Sequence, residues 1–213
     1  MIRLVLRSLF FLAAFISTLG AEEHDEDSSF RVRFEVSISP KRISSFVIEV
    51  YPDWAPLGAA RFREIIEENI WKNGRFYRIM PSFLVEWGIP GNIDVAAVWK
   101  EKRIRDDPPF MYNKFGTVSF QTKGEMNSRT TQVFVNLRDN SEFGGKNLFK
   151  TLIPFGKIVE GIEVFANLYR GYGDEPNKEV IQSHGNKYLK TQFPNLSYIT
   201  DASFVEEDDI GEL

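Results

Sequence analysis

Residues 76–88 read FYRIMPSFLVEWG and place Arg78 among aromatic and aliphatic side chains. A half-buried arginine is uncommon because its charge must be solvated or paired. One alternative is structural: the stem of Arg78 packs on Phe83, and its head reaches solvent or pairs with Glu86. The other is functional, with the guanidinium directed at a ligand. The flanking sequence decides what kind of fold carries this segment.

Alternating apolar and polar residues predict two strands before this segment. Such alternation extends over residues 30–38 and, after a turn at residues 40–44, over residues 46–50. Two alternating runs joined by a short turn are typical of an antiparallel hairpin. Short strand-like runs follow at residues 76–79, 83–86, 117–120, 132–136 and 154–159.

Two helices and one long connection complete the pattern. Apolar residues recur at helical spacing from Leu57 to Ile70, with Asp53 as the expected N-cap and Gly74 as the break. A second helix is predicted over residues 162–169, and residues 89–114 form a polar surface loop. Many short strands with two helices predict one mainly β domain, a closed antiparallel barrel capped by the helices.

The two ends of the chain differ from the middle. Arg3 and Arg7 precede an uncharged, largely apolar run that ends in small residues, so residues 1–21 are predicted to be a secretory signal peptide. A membrane anchor is the alternative, but the run is shorter than the roughly 20 residues that span a bilayer. An acidic lead-in follows at 22–29, and residues 171–213 form a C-terminal extension with an acidic tail. Asn195 begins a glycosylation sequon.

Composition excludes several classes of function. The formal net charge is −4, which disfavours nucleic-acid binding, and the absence of cysteine excludes thiol catalysis and disulfides. His24 and His184 lie in polar segments and are interpreted as exposed loop residues. No phosphate loop, serine-hydrolase motif or spaced metal ligands occur, so neither a metal nor a cofactor is expected.

Residues 76–88 resemble the cyclophilin signature Phe-x-Arg-Ile/Val-x-Pro-x-Phe-x-x-Gln-x-Gly, with Glu86 in place of the glutamine. Three further stretches are similar to segments of that family in the same order: GTVSF at 116–120, TQVFVN at 131–136 and PFGKIVEG at 154–161. The resemblance covers residues 30–170. It implies an eight-stranded barrel that catalyses rotation about X-Pro bonds.

The resemblance also implies roles for particular residues. Arg78 would donate a hydrogen bond to the prolyl nitrogen, Gln132 would hold the substrate carbonyl, and the backbone near Gln121 and Thr122 would pair with the peptide. A dry pocket for the proline ring would be formed by Phe83, Leu84, Phe134 and Leu152.

Three positions depart from the family pattern. Glu86 replaces a neutral amide, and an ionised carboxylate would compete for Arg78. Gln121 stands where alanine is usual and would narrow the groove. Phe143 stands where the family has tryptophan and cannot donate an indole N–H, so cyclosporin binding is expected to be weak.

Two functions therefore remain. The first is a monomeric isomerase that binds proline-containing segments of client proteins and assists folding in the secretory pathway, in the endoplasmic reticulum lumen or after secretion. The second is a catalytically weak or inactive module that binds proline peptides. After removal of the signal peptide, no membrane association is expected.

Overall fold

The computed structural model describes residues 29–142 and 151–206, which contain eight strands and four helices. The predicted signal peptide, nearly all of the acidic lead-in, Phe143 and most of the acidic tail lie outside these residues. The elements in chain order are β1 (Phe30–Ser39), β2 (Arg42–Val50), α1 (Pro56–Glu67), β3 (Arg78–Met80), β4 (Leu84–Trp87), α2 (Ile93–Trp99), β5 (Thr117–Phe120), β6 (Val133–Asn136), β7 (Pro154–Glu160), α3 (Val164–Asn167), α4 (Lys178–Gln192) and β8 (Tyr198–Phe204).

All eight strands belong to one antiparallel sheet with the order β3-β4-β6-β5-β7-β2-β1-β8. The mainly β prediction is confirmed, but the closed barrel is wrong: the sheet is open and curled, and its edge strands β3 and β8 share no ladder. The reason is that β3 is only three residues long. The chain just before it meets β8 instead, where Asn73 N donates to Ile199 O at 2.9 Å and Phe76 N donates to Ser197 O at 3.1 Å.

Strand β8 comes from residues 171–213, which are predicted to be a C-terminal extension, yet it pairs with β1. Helix α4 comes from the same segment. The Asn177 side chain caps it by accepting from Val180 N at 3.0 Å, and the helix kinks at Gly185, whose φ is +53°. Gly91 O lies 2.3 Å from where a Cβ of residue 185 would stand, so glycine permits the close approach of α4 to the segment before α2.

Helix α1 begins at Pro56, and the prediction of Asp53 as its cap is wrong. The cap position is Ala55, whose side chain cannot accept a hydrogen bond. The carboxylate of Asp107 accepts from Leu57 N at 2.8 Å and Gly58 N at 3.0 Å instead. The connection over residues 89–114, predicted to be a surface loop, therefore supplies a buried cap and also contains α2.

The concave face of the sheet holds the aromatic core. Phe34 stacks on Phe46 with ring centroids 4.9 Å apart, and Trp87 lies edge-on to Trp71 at 6.1 Å. Residues with the opposite parity on β3, β4, β5 and β6 point to the other face. None of the helices in residues 29–142 and 151–206 is both long and apolar enough to cross a bilayer.

Candidate active site

The strand register places the main site residues in one row across the sheet. Arg78 on β3 faces Glu86 on β4, Glu86 faces Phe134 on β6, and Phe134 faces Ser119 on β5. Directly opposite residues of antiparallel strands project to the same face, with Cβ atoms about 5 Å apart. The row therefore places the cation of Arg78 and the aromatic ring of Phe134 on the same face of the sheet, opposite the main core.

The predicted apolar pocket residues come together beside this row. Leu84, Phe134 and Leu152 form one buried cluster, and the half-buried ring of Phe83 packs against it. Hydrogen bonds of Asn113 fix the backbone next to this cluster. Asn113 Nδ2 donates to Leu152 O at 2.7 Å, and Asn113 Oδ1 accepts from Ser119 Oγ at 2.8 Å. Because these bonds are buried, they hold the backbone that carries Leu152 in one position.

Arg78 is held by the residue that departs from the family pattern. Its Nη1 lies 2.6 Å from Glu86 Oε1, with the Arg78 side chain 26% exposed and that of Glu86 completely buried. The same oxygen accepts a hydrogen bond from Gln121 Nε2 at 2.9 Å. A guanidinium has five N–H donors, so one bond to Glu86 leaves others for a ligand. The pairing that the sequence suggested as competition is thus present.

Lys178, which was not predicted to be a site residue, also contacts Glu86. Lys178, the first residue of α4, places its Nζ 2.5 Å from Glu86 Oε2 and is 32% exposed. From the described residues, that oxygen accepts no hydrogen bond of good geometry. A buried carboxylate needs compensation for lost hydration, which indicates a second cation near Glu86. That this cation is Lys178 could not be predicted, because Lys178 and Glu86 are 92 positions apart in the sequence.

Gln132 is oriented by a second residue that was missed. Tyr77 is buried, and its hydroxyl lies 3.3 Å from both Gln132 Oε1 and Trp87 O. Burial, reinforced by the charge of Glu86, raises the pKa of Tyr77 well above its usual value, so it remains a neutral donor. When the Gln132 oxygen accepts from Tyr77, its amide N–H groups are left for a carbonyl acceptor.

Gln132 lines a cavity of about 560 Å³ together with Gln121, Thr122 and the N-terminal part of α4. The backbone N–H groups at this edge are already used: Gln121 N donates to Gln132 O at 2.8 Å, and Thr122 N to the Gln121 side chain at 3.1 Å. Peptide pairing here would therefore use carbonyl groups or displace the Gln121 side chain.

Asn195 and His184 take no part in the row or the apolar cluster described above. Asn195 is exposed and donates to Tyr172 Oη at 3.3 Å, whereas Ser197 of the same sequon is buried. His184 is exposed on α4, with Nδ1 2.8 Å from Ser183 Oγ. Within the described ranges, no three His, Cys, Asp or Glu side chains are grouped so that they could hold a metal ion.

Residues 33–185 match the profile of the family described as cyclophilin type peptidyl-prolyl cis-trans isomerase/CLD. Peptidyl-prolyl cis-trans isomerase-like 2 of Gibberella zeae is 26% identical over 182 residues, which are 78% of this chain and 30% of that protein. A peptidyl-prolyl cis-trans isomerase of Acinetobacter baylyi is 25% identical over 127 residues, 57% of this chain and 65% of that protein. The chain thus spans less than two thirds of either relative.

Solved structures give the same fold. A cyclophilin type peptidyl-prolyl cis-trans isomerase of Cryptosporidium parvum aligns with a TM-score of 0.58 at 17% identity, covering 84% of this chain and 99% of that chain. A second crystal structure of that protein, in the presence of the dipeptide Ala-Pro, aligns with a TM-score of 0.57 at 16% identity and covers 83% of this chain and 99% of that chain.

Proposed function

The chain belongs to the cyclophilin-type peptidyl-prolyl cis-trans isomerase family, and from this we propose that it catalyses cis-trans isomerisation of X-Pro bonds in proteins. The observation that carries the proposal is the row formed by Arg78, Glu86 and Phe134, with the apolar cluster of Phe83, Leu84 and Leu152 beside it. A cation next to a cluster of apolar side chains suits a ligand with one polar atom in an apolar ring.

The reaction needs no bond to break. Rotation about an X-Pro bond has a barrier of about 18–20 kcal/mol, because the nitrogen lone pair is delocalised into the carbonyl. In the twisted state the nitrogen regains its lone pair and becomes a hydrogen-bond acceptor. A protein that binds this state more tightly than either planar state accelerates the exchange.

Each residue of the site has a part in this scheme. Arg78 donates to the prolyl nitrogen as it becomes pyramidal, a charge-assisted bond worth about 1.5–3 kcal/mol. Phe83, Leu84, Phe134 and Leu152 receive the ring and exclude water, which strengthens that bond. Gln132, oriented by Tyr77, holds the carbonyl of the preceding residue.

Isomerase activity is supported by the relatives, which are named as peptidyl-prolyl cis-trans isomerases. Binding of proline-containing peptides is supported by the crystal structure that was determined in the presence of Ala-Pro. The second candidate is a module that binds such peptides with little turnover. It is favoured by the 2.6 Å contact between Arg78 and Glu86, since a guanidinium held by a carboxylate is less available to the prolyl nitrogen. With Phe143 in place of tryptophan, cyclosporin is expected to bind weakly in either case, and nanomolar inhibition would contradict this.

We place the protein in the secretory pathway, with residues 1–21 removed as a signal peptide and clients that fold there. Asn195 is exposed and can carry a glycan, but Ser197 is buried, so transfer would have to precede folding. Mass spectrometry of protein expressed in a eukaryotic secretory host tests this. An intact N-terminus starting at Met1 would contradict it.

The proposed activity is tested with a proline tetrapeptide in a protease-coupled assay. Arg78→Ala should lose roughly 10–100-fold in kcat/KM, because one charge-assisted bond is removed from the transition state. Arg33→Ala is the matched control, since Arg33 is a half-exposed strand arginine that pairs with Glu160 at 3.9 Å. Peptide binding without turnover in the wild type would favour the binding module.

A further inference from the structure

The buried carboxylate of Glu86 has a different cation on each oxygen. Arg78 Nη1 lies 2.6 Å from Oε1, and Lys178 Nζ lies 2.5 Å from Oε2. Arg78 belongs to β3, and Lys178 belongs to α4, so two separate elements meet at one side chain. Both cations are partly exposed, whereas Glu86 is completely buried.

Charge explains why the lysine matters to the arginine. An arginine beside a neutral glutamine carries one net positive charge. Arg78, Glu86 and Lys178 together also carry one, so the lysine offsets the charge that the glutamate introduces. A carboxylate with both oxygens free prefers to bind a guanidinium through two parallel bonds. Lys178 occupies one oxygen, which limits Arg78 to a single bond.

We propose that Lys178 is a positioning residue for isomerisation: it holds Oε2 of Glu86 and thereby keeps Arg78 available to the prolyl nitrogen. This rests on the proposed function. Repulsion between Arg78 and Lys178 has the same effect. Two positive charges repel each other, which disfavours a conformation of Arg78 in which the guanidinium turns toward Lys178 and away from the ligand.

Helix α4 is anchored so that it presents this lysine. Asn177 caps its first turn, and Asn186 N donates to Gly91 O at 2.9 Å beyond the kink at Gly185. Asn186 Oδ1 also accepts from Arg75 at 3.1 Å, which ties the helix to the segment that leads into β3. The helix is therefore fixed to the same part of the sheet that carries Arg78.

The test is a cycle of Glu86→Gln, Lys178→Met and the double variant, with kcat and KM measured separately. Lys178→Met should lower kcat/KM by roughly 10-fold or more, mostly through kcat, because Glu86 then takes Arg78 through two bonds. In the Glu86→Gln background the same change should cost less than about threefold. Lys178→Arg should retain most of the activity, and Lys187→Met is the control for an exposed lysine on the same helix.

A second measurement does not depend on turnover. The Arg78 Nε–H resonance should shift when an Ala-Pro tetrapeptide is added to the wild type. The shift should be lost in Lys178→Met and recovered in the double variant.

The outcomes are distinguishable. If Arg78→Ala lowers kcat/KM as predicted but Lys178→Met costs the same factor with and without Glu86→Gln, or costs nothing, the positioning role is wrong and the isomerase stands. If the wild type shows neither turnover nor a shift at Arg78, the proposed function fails, and the role of Lys178 fails with it.

Discussion

Two ionic clusters in this protein pair an arginine with buried carboxylate groups, but they differ in how far their cations are exposed. In the first, Arg129 pairs with Asp107 at 2.9 Å and with Asp106 at 3.3 Å, and the three side chains are 0%, 0% and 6% exposed. In the second, the carboxylate of Glu86 is buried, but Arg78 and Lys178 are 26% and 32% exposed. The first cluster is closed by protein, and the second keeps its cations within reach of a ligand.

The difference indicates what each cluster does. Asp107 accepts from two N–H groups at the start of α1, so the closed cluster fastens the helix to the connection between α2 and β5. Its charges are paired with one another inside the fold, Arg129 with both aspartates. The open cluster also pairs a buried charge, but its arginine is partly exposed and lies in the same row across the strands as Phe134 of the apolar cluster. We therefore expect changes in the closed cluster to affect stability and changes in the open cluster to affect turnover.

The largest expected effect is in the closed cluster. Arg129→Met leaves Asp106 and Asp107 buried without their cation, which should lower the free energy of unfolding by about 3–5 kcal/mol. Urea denaturation measures this. Arg33→Met, which removes a half-exposed arginine, should cost less than about 1 kcal/mol. If the two variants are equally stable, the closed cluster does not anchor α1.

A smaller effect is expected at Tyr77, which lies behind the open cluster. Burial raises its pKa above the usual value of 10, so the unfolded chain loses this proton first as the pH rises. The stability from the buried neutral phenol is complete below pH 10 and declines above it, by on the order of 1 kcal/mol near pH 10.5.

Thermal unfolding between pH 8 and 11 measures this decline, which should be shallower in Tyr77→Phe. Part of the decline in stability should remain in Tyr77→Phe, because burial and a hydrogen bond to Glu49 also raise the pKa of Tyr51, to about 12. Identical pH profiles for Tyr77→Phe and the wild type would show that Tyr77 does not titrate as a buried group.

The smallest expected effect is that of Glu86→Gln alone. Removing the carboxylate frees Arg78, but Lys178 already limits the competition, so kcat/KM should rise only about threefold. The protease-coupled assay measures it. A fall in kcat/KM, or no change at all, would mean that the carboxylate does not compete with the prolyl nitrogen.

Only part of the candidate site could be predicted from the sequence. The runs at residues 76–79, 83–86 and 132–136 predicted the strands that carry Arg78, Glu86 and Phe134. That these three side chains share one face follows from the strand register, which the sequence does not show. The cluster of Phe83, Leu84, Phe134 and Leu152 was expected only from family resemblance, and the structure brings these side chains together. Phe143 lies outside the described residues, so its place in the pocket stays a prediction.

The parts that could not be predicted depend on distant contacts. Asp107 caps a helix about 50 residues earlier, and Lys178 reaches a strand 92 residues earlier. No local pattern encodes such pairings, although Asn177 followed by Lys178 and Glu179 is a fair signal for a helix start. The open edge between β3 and β8 was missed for a related reason: a three-residue strand is set by the turn at Pro81 and Ser82, not by periodicity.

In the proposed mechanism, the Arg78 guanidinium stabilises the twisted X-Pro bond. The most direct test is exchange NMR on an Ala-Pro tetrapeptide at equilibrium, with a small amount of protein and no protease. We predict cis-trans exchange cross-peaks with the wild type and with Arg33→Ala, and exchange that is roughly 10–100-fold slower at the same concentration of Arg78→Ala. Equal exchange with the wild type and Arg78→Ala would contradict the account.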